Sequence, residues 1–106
     1  MTSNARQLEA KQAINEALDL FQRRWCLRVL WELRAEALNF RALRAACGDI
    51  SPTVLNQRLA ELREAALVSV GDGGYALTPL GRELLPAFDP LMRWAVRWRR
   101  QRDAAR

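Results

Sequence analysis

The segment Phe40–Leu67, FRALRAACGDISPTVLNQRLAELREAAL, predicts two short helices joined by a tight turn. Asn39 is placed to cap the first helix, and Gly48 supplies the positive φ that commonly ends one. Ser51 is a favourable N-cap for the second helix, with Pro52 at its first position. Two helices joined so closely, with a glycine in the turn, are typical of the helix-turn-helix that sets a helix into the DNA major groove. The segment therefore predicts DNA binding.

The second helix, residues 51–64, has an apolar face and an opposite polar face. Its apolar residues recur at helical spacing and are expected to point into a core: Leu55, Leu59, Leu62 and Ala66. We expect four polar side chains to meet base edges: Thr53 and Gln57 on the other face, Asn56 at its side, and Arg58 on an edge of the apolar stripe. Amides can pair with adenine, threonine can touch a thymine methyl group, and arginine can bind guanine or phosphate. A merely solvated polar face is the alternative explanation of this pattern.

A hairpin and a further helix follow this motif. Residues 67–70 and 75–77 are short β-prone runs around Gly71-Asp72-Gly73-Gly74, which is a strong hairpin signal. Thr78 then caps another helix, with Pro79 in its first position. Helix, turn, helix and hairpin in this order predict a winged helix-turn-helix, mainly α with a small β-hairpin.

The two ends of the chain predict extra helices for dimerisation. Each carries an apolar stripe that widens the apolar surface beyond what one small domain covers. We expect seven residues at a two-fold dimer contact: Ile14, Leu18, Phe21, Phe88, Leu91, Trp94 and Trp98. The alternative is that the two helices pack only on each other within one chain. Pro86 and Pro90 are expected to kink or interrupt the last helix near its start.

The chain is therefore expected to form a single domain, residues 1–106, in three parts. Residues 1–22 form an association helix, residues 23–78 the winged core, and residues 79–106 a second association helix with an arginine-rich tail. A dimer would present two recognition helices to half-sites about one DNA turn apart.

The net charge of +5 is unevenly distributed along the chain. Residues 1–50 carry +2, residues 51–92 carry −2, and residues 93–106 carry +5. Phosphate contacts supply most of the non-specific affinity for DNA, so they must come from outside the second helix. We expect Arg24, Arg41 and Arg44 to contact phosphates, with Ser51 and Pro52 near the backbone.

The composition argues against several other classes of protein. Two cysteines, no CxxC pair and no histidine make a disulfide framework or a metal site improbable. The usual pairs of nucleophile and base are missing, so we expect no enzyme and no cofactor. The polar N-terminus predicts no secretory signal and no run is long enough for a membrane span, so a cytoplasmic location is expected.

Several short motifs occur in an order that is similar to the HxlR-type winged helix-turn-helix regulators, relatives of the MarR-type proteins. The motifs are Arg24-Trp25, Leu30-Trp31-Glu32-Leu33, Asn39-Phe40-Arg41-Ala42-Leu43, Asp49-Ile50-Ser51, Leu55-Asn56-Gln57-Arg58-Leu59 and Tyr75-Ala76-Leu77-Thr78-Pro79-Leu80-Gly81. The resemblance covers residues 17–94. It implies a dimeric bacterial transcription factor that binds double-stranded DNA through residues 51–64 and dimerises through its terminal helices.

The chain departs from the family in two places. Many members carry a Cys-Pro pair that senses oxidants, and Gln12-Ala13 stands near that position here. The wing, which is the hairpin around residues 70–75, is also shorter and less basic than is usual in the family. Together with the acidic balance of residues 51–92, it motivates an alternative, a winged-helix module that binds protein and has lost DNA binding. A small-molecule effector could fit between the terminal helices and the winged core, although no residue set specifies one.

Overall fold

A computed structural model describes residues 2–106 as six helices and one antiparallel hairpin. The elements are α1 (Thr2–Phe21), α2 (Cys26–Glu32), α3 (Phe40–Ala46), α4 (Pro52–Glu64), β1 (Val68–Gly71), β2 (Gly74–Leu77), α5 (Pro79–Glu83) and α6 (Leu85–Ala104). The order confirms the predicted winged helix-turn-helix with a further helix at each end. Met1 lies outside the described residues.

Side-chain caps set the starts of three helices, as the sequence predicts. The side-chain Oδ1 of Asn39 accepts from the amide of Ala42 at 2.8 Å and so begins α3. The Ser51 hydroxyl accepts from the amide of Val54 at 3.1 Å at the start of α4. Thr78 caps α5 in the same way. Each cap satisfies an amide that the first helical turn leaves without a partner.

The turn between α3 and α4 is formed by two left-handed residues. Gly48 has φ 76°, as predicted, and Asp49 follows with φ 60°. Together they reverse the chain within a few residues and bring Ile50 back into the core, where it is buried. The turn therefore fixes the angle at which α4 leaves α3.

One apolar core lies between α2, α3, α4 and the hairpin. Its fully buried side chains include six leucines, each of which stabilises the fold by about 1.5–3 kcal/mol through burial. They are Leu30, Leu33, Leu43, Leu55, Leu59 and Leu62. Three come from α4, so the apolar face of that helix is held inward along its length.

Ala66 departs from the sequence prediction. It was expected in the core, yet it is exposed and lies beyond the end of α4 with φ 65°. This left-handed residue ends the helix, and its carbonyl accepts from the Thr78 hydroxyl at 2.6 Å. The stop turns the chain from α4 into β1, which the apolar spacing alone does not indicate.

The hairpin pairs β1 with β2 from Val68–Leu77 to Gly71–Gly74. An isolated bridge adds Leu38, whose amide and carbonyl both bond to Tyr75 at 2.9 and 2.8 Å. This bridge fastens the wing to the segment between α2 and α3. A Cβ on Gly74 would lie 2.5 Å from the Leu38 carbonyl oxygen, so the close approach requires glycine.

The last helical region is interrupted near its start, as the two prolines predict. The chain breaks at Leu84 between α5 and α6, Pro86 lies in the first turn of α6, and Pro90 lies inside that helix. Phe88 packs into the core, and from Asp89 onward every residue except Ala95 is exposed. No helix within residues 2–106 is long and apolar enough to cross a membrane.

Candidate nucleic-acid interface

The polar face of α4 is open to solvent in the single chain. Ser51, Pro52, Thr53, Asn56 and Gln57 are all exposed. Burial of the opposite leucines fixes the rotation of the helix, so these five residues form one continuous surface at its N-terminal half. Side chains of this size can approach another surface closely, and the Thr53 hydroxyl and the Asn56 and Gln57 amides are available to donate and accept.

Arg44 bonds to the turn that leads into this surface. Its Nε donates to the carbonyl oxygen of Ile50 at 2.7 Å, across the turn that precedes α4. Arg44 was predicted to contact phosphate, and the structure gives its Nε a role within the chain. The guanidinium links the last turn of α3 to the residue before the Ser51 cap, which holds the N-terminus of α4 in position.

Arg58 lies away from the open face. Its side chain is 17% exposed, its Nε donates to the Arg24 carbonyl at 2.8 Å, and its guanidinium pairs with Glu61. The sequence placed Arg58 with the base-contacting residues, whereas the structure turns it toward the linker between α1 and α2. From this position on a helix, an arginine side chain is long enough to reach either the exposed face or a neighbouring segment. Helical spacing alone does not decide between the two.

Two of the predicted phosphate contacts remain exposed. Arg41 on α3 has no ion-pair partner within residues 2–106, and Arg24 lies over the Trp25 ring at 5.6 Å from its centroid. Nearby Arg28 is engaged, because it pairs with Glu32 at 2.6 Å and donates to the Ala46 carbonyl at 3.1 Å. Of these three arginines, Arg41 and Arg24 are therefore the two outside an ion pair among the described residues.

The wing contributes no positive charge. Its tip is Asp72-Gly73, and Asp72 is the one charged residue between Val68 and Leu77. A backbone that carries phosphates would meet a single carboxylate there. The α4 surface is consequently the part of the winged core best suited to a nucleic acid.

Both cysteines are buried, and their surroundings disfavour the thiolate. Burial, followed by the nearby Glu61 carboxylate, raises the pKa of Cys26 to about 11. Burial also raises the pKa of Cys47. Reactive cysteines need the reverse, an exposed thiol beside positive charge. No group of three or more potential metal ligands occurs within residues 2–106.

The predicted dimer residues fall into two groups. Ile14 and Leu18 on α1 are each 54% exposed, and Leu91, Trp94 and Trp98 on α6 are exposed to a similar degree. The two indole rings stack with their centroids 6.0 Å apart. The remaining two, Phe21 and Phe88, pack against or within the core of the same chain. Phe88 was expected at the dimer contact, but the break before α6 directs its ring into the protomer.

An apolar groove of about 760 Å³ lies between α1, the end of α4 and α5. It is open along one side, and its charged residues are Glu16 and Glu83. Its apolar lining includes Ala13, Ala17, Leu20, Phe21, Leu67, Leu80 and Leu84. The predicted space between the terminal helices and the winged core therefore exists, and no polar set in it selects a ligand.

Sequence reasoning missed the importance of Glu61. The structure pairs its carboxylate with both Arg58 and Arg23. The spacing of Arg58 and Glu61 along a helix indicates one of these pairs. Nothing local indicates the other, because Arg23 is 38 residues away in sequence.

Comparison with known proteins extends these observations. The family model described as HxlR-like helix-turn-helix matches residues 20–103. The chain is 27% identical over 99 residues to YvaP of Bacillus subtilis, an uncharacterized HTH-type transcriptional regulator, covering 87% of this chain and 92% of YvaP. The structure of this chain is similar to that of quinone-bound YodB from B. subtilis. The TM-score is 0.77, and the identity is 26% over 81% of this chain and 98% of YodB. A possible HxlR family transcriptional factor from Thermoplasma volcanium gives a TM-score of 0.69 and 26% identity over 78% and 81% of the two chains.

Proposed function

Because the chain belongs to the HxlR-like helix-turn-helix family of transcriptional regulators, we propose that it binds DNA sequence-specifically as a homodimer in the cytoplasm. In this proposal α4 enters the major groove. The observation that carries it is the bare face of α4, where Thr53, Asn56 and Gln57 are exposed while the leucines opposite are buried.

The base contacts are assigned to the exposed side chains of α4. Asn56 and Gln57 can each form paired hydrogen bonds with adenine, and the Thr53 methyl group can touch a thymine methyl group. Ser51 and Pro52 lie at the helix N-terminus, where backbone amides and the helix dipole favour a phosphate. Arg58 is left out of the base-contacting set because Arg24 and Glu61 already engage it.

Phosphate contacts are assigned first to Arg41 and Arg24, the two exposed arginines of the sequence-predicted set. Arg44 keeps guanidinium N–H groups beyond its Nε and can add a contact while it holds the turn. These contacts would position α4 in the groove without distinguishing sequences.

The dimer is assigned to α1 and the distal half of α6. Exposed apolar side chains of α1 and α6 would otherwise remain in water. The charges of the two segments are also complementary, since residues 1–22 carry −1 and residues 93–106 carry +5. A two-fold contact that sets α6 of one protomer on α1 of its partner would use both features.

The proposal is tested by selecting bound duplexes from a random pool and titrating the selected site and random DNA at several salt concentrations. Gln57→Ala and Asn56→Ala should each lose about 1–3 kcal/mol on the selected site and little on random DNA. Gln12→Ala, an exposed glutamine on α1, is the matched control and should change neither.

Arg41→Ala should weaken both DNAs alike and reduce the slope of log K against log salt by about 0.9. Equal losses on both DNAs for Gln57→Ala would refute its base contact. A wild-type protein with almost no salt slope would instead favour the alternative, a module that binds protein.

A further inference from the structure

One carboxylate on α4 pairs with two arginines beside the proposed DNA-binding surface. Glu61 Oε2 accepts from the Arg23 guanidinium, and Glu61 Oε1 accepts from the Arg58 guanidinium. Arg58 Nε also donates to the Arg24 carbonyl at 2.8 Å. The cluster thus joins the linker between α1 and α2 to the middle of α4.

The cluster is partly withdrawn from water. The side chains of Arg58 and Glu61 are 17% and 23% exposed, while Arg23 is about half exposed. Ion pairs on an open surface are worth little, but a carboxylate shared by two guanidinium groups in reduced solvent is a stronger arrangement. Hydrogen bonding to Arg23 lowers the pKa of Glu61, so the carboxylate stays ionised at neutral pH.

The position of the cluster matters for DNA. Arg58 directly follows Gln57, which we assign to the bases, and a free guanidinium there could reach phosphates beside the groove. An additional phosphate contact requires no particular base sequence, so it raises the affinity for random DNA. A specific complex gains less from such mobile cations, because base contacts already fix where α4 lies.

We infer that Glu61 is a specificity-determining residue: it holds Arg23 and Arg58 in ion pairs within the chain and so limits the affinity for non-target DNA. This inference rests on the proposed DNA-binding function. It explains why an acidic residue lies on the helix that should meet a polyanion.

The test compares Glu61→Gln with Glu64→Gln, each against the selected site and random DNA. Both changes remove one negative charge from α4, but Glu64 is exposed and has no ion-pair partner within residues 2–106. Glutamine keeps a hydrogen-bond acceptor at position 61, and circular dichroism checks that the fold is retained.

Glu61→Gln should bind random DNA about tenfold more tightly at 0.1 M salt, with a slope steeper by about 1–2, as expected for up to two new phosphate contacts. The preference for the selected site should fall at least threefold. Glu64→Gln should change each quantity much less. Identical behaviour of the two variants, or equal tightening on both DNAs by Glu61→Gln, would overturn the inference.

A second comparison leaves α4 untouched. Arg23→Gln should leave affinity for random DNA within about twofold, because Arg23 is held in its ion pair with Glu61, whereas Arg41→Gln should weaken it severalfold. If both substitutions weakened the affinity equally, Arg23 would contact DNA despite its ion pair with Glu61, and the inference would be overturned. If the wild-type chain binds no DNA with a salt slope, the proposed function fails first and this inference fails with it.

Discussion

Substituting Trp94 by alanine should dissociate the proposed dimer without unfolding the protomer. Trp94 lies on α6 beyond the last core contact and is 51% exposed in the single chain. Its indole ring stacks on Trp98 and touches no part of the buried core. The change therefore acts on the surface that a second copy would cover.

The expected magnitude follows from the exposed area. A tryptophan side chain buries up to about 250 Å² when fully covered, so covering the exposed half of Trp94 removes about 125 Å² from water. At about 25 cal/mol per Å² this is worth about 2 kcal/mol after allowing for the remaining Cβ. A two-fold contact uses the residue twice, so the dimer loses about 4 kcal/mol and its Kd rises roughly a thousandfold.

Sedimentation equilibrium over a wide range of concentration measures this Kd, and thermal unfolding of the monomer checks the fold. The matched control is Val70→Ser, an exposed apolar residue on the wing, which should leave the Kd within about threefold. A wild-type monomer at high concentration, or an unchanged Kd for Trp94→Ala, would refute the assignment of the dimer to α6.

Three further outcomes are expected. Gly81→Ala should lower the free energy of unfolding by about 1–3 kcal/mol, because its Cβ would lie 2.3 Å from the Leu67 carbonyl oxygen. The control is Gly71→Ala, whose Cβ meets nothing within 4 Å. It should change the free energy of unfolding, measured by denaturant titration, by less than about 0.5 kcal/mol. At pH 8 Cys26 should react with a disulfide reagent more than about a hundredfold slower than free cysteine, since a pKa of about 11 leaves few thiolates, and fast labelling of the folded chain would contradict this. Ser51→Ala should cost about 0.5–2 kcal/mol of stability through the lost cap and weaken the selected site; an unchanged unfolding midpoint would show that the cap is dispensable.

The helix-turn-helix could be predicted because its signals are local. Asn39, Ser51 and Thr78 each bond an amide three residues ahead, so sequence spacing alone indicates the contact. The same holds for Gly48, whose left-handed φ is favoured by the residue itself. A contact that spans no more than one helical turn can be predicted from the spacing of the residues in the sequence.

Contacts between distant segments could not be predicted in this way. Leu38 makes a single bridge to Tyr75, which is too short to leave a periodic pattern in the sequence. Ala66 continues the apolar spacing of α4 and yet ends that helix, because the following strand must turn back over the core. In both places the tertiary arrangement decides between two locally acceptable conformations.

The same distinction between local contacts and contacts between distant segments applies to the candidate site. Periodicity predicted which side of α4 is exposed, and Asn56 and Gln57 lie there. It could not predict the direction of Arg58, whose backbone partner is 34 residues away in sequence. The three-part division of the domain and the residues assigned to the dimer remain predictions.

The attachment of α6 has a mechanical consequence. The helix is anchored in the core at Phe88, and the stretch from there to Ala104 is a rod about 24 Å long. A tilt of about 10° at the anchor displaces the far end by about 4 Å, which is close to one base-pair step. If partner subunits contact each other along this rod, the distance between their α4 helices depends on how Phe88 packs in the core.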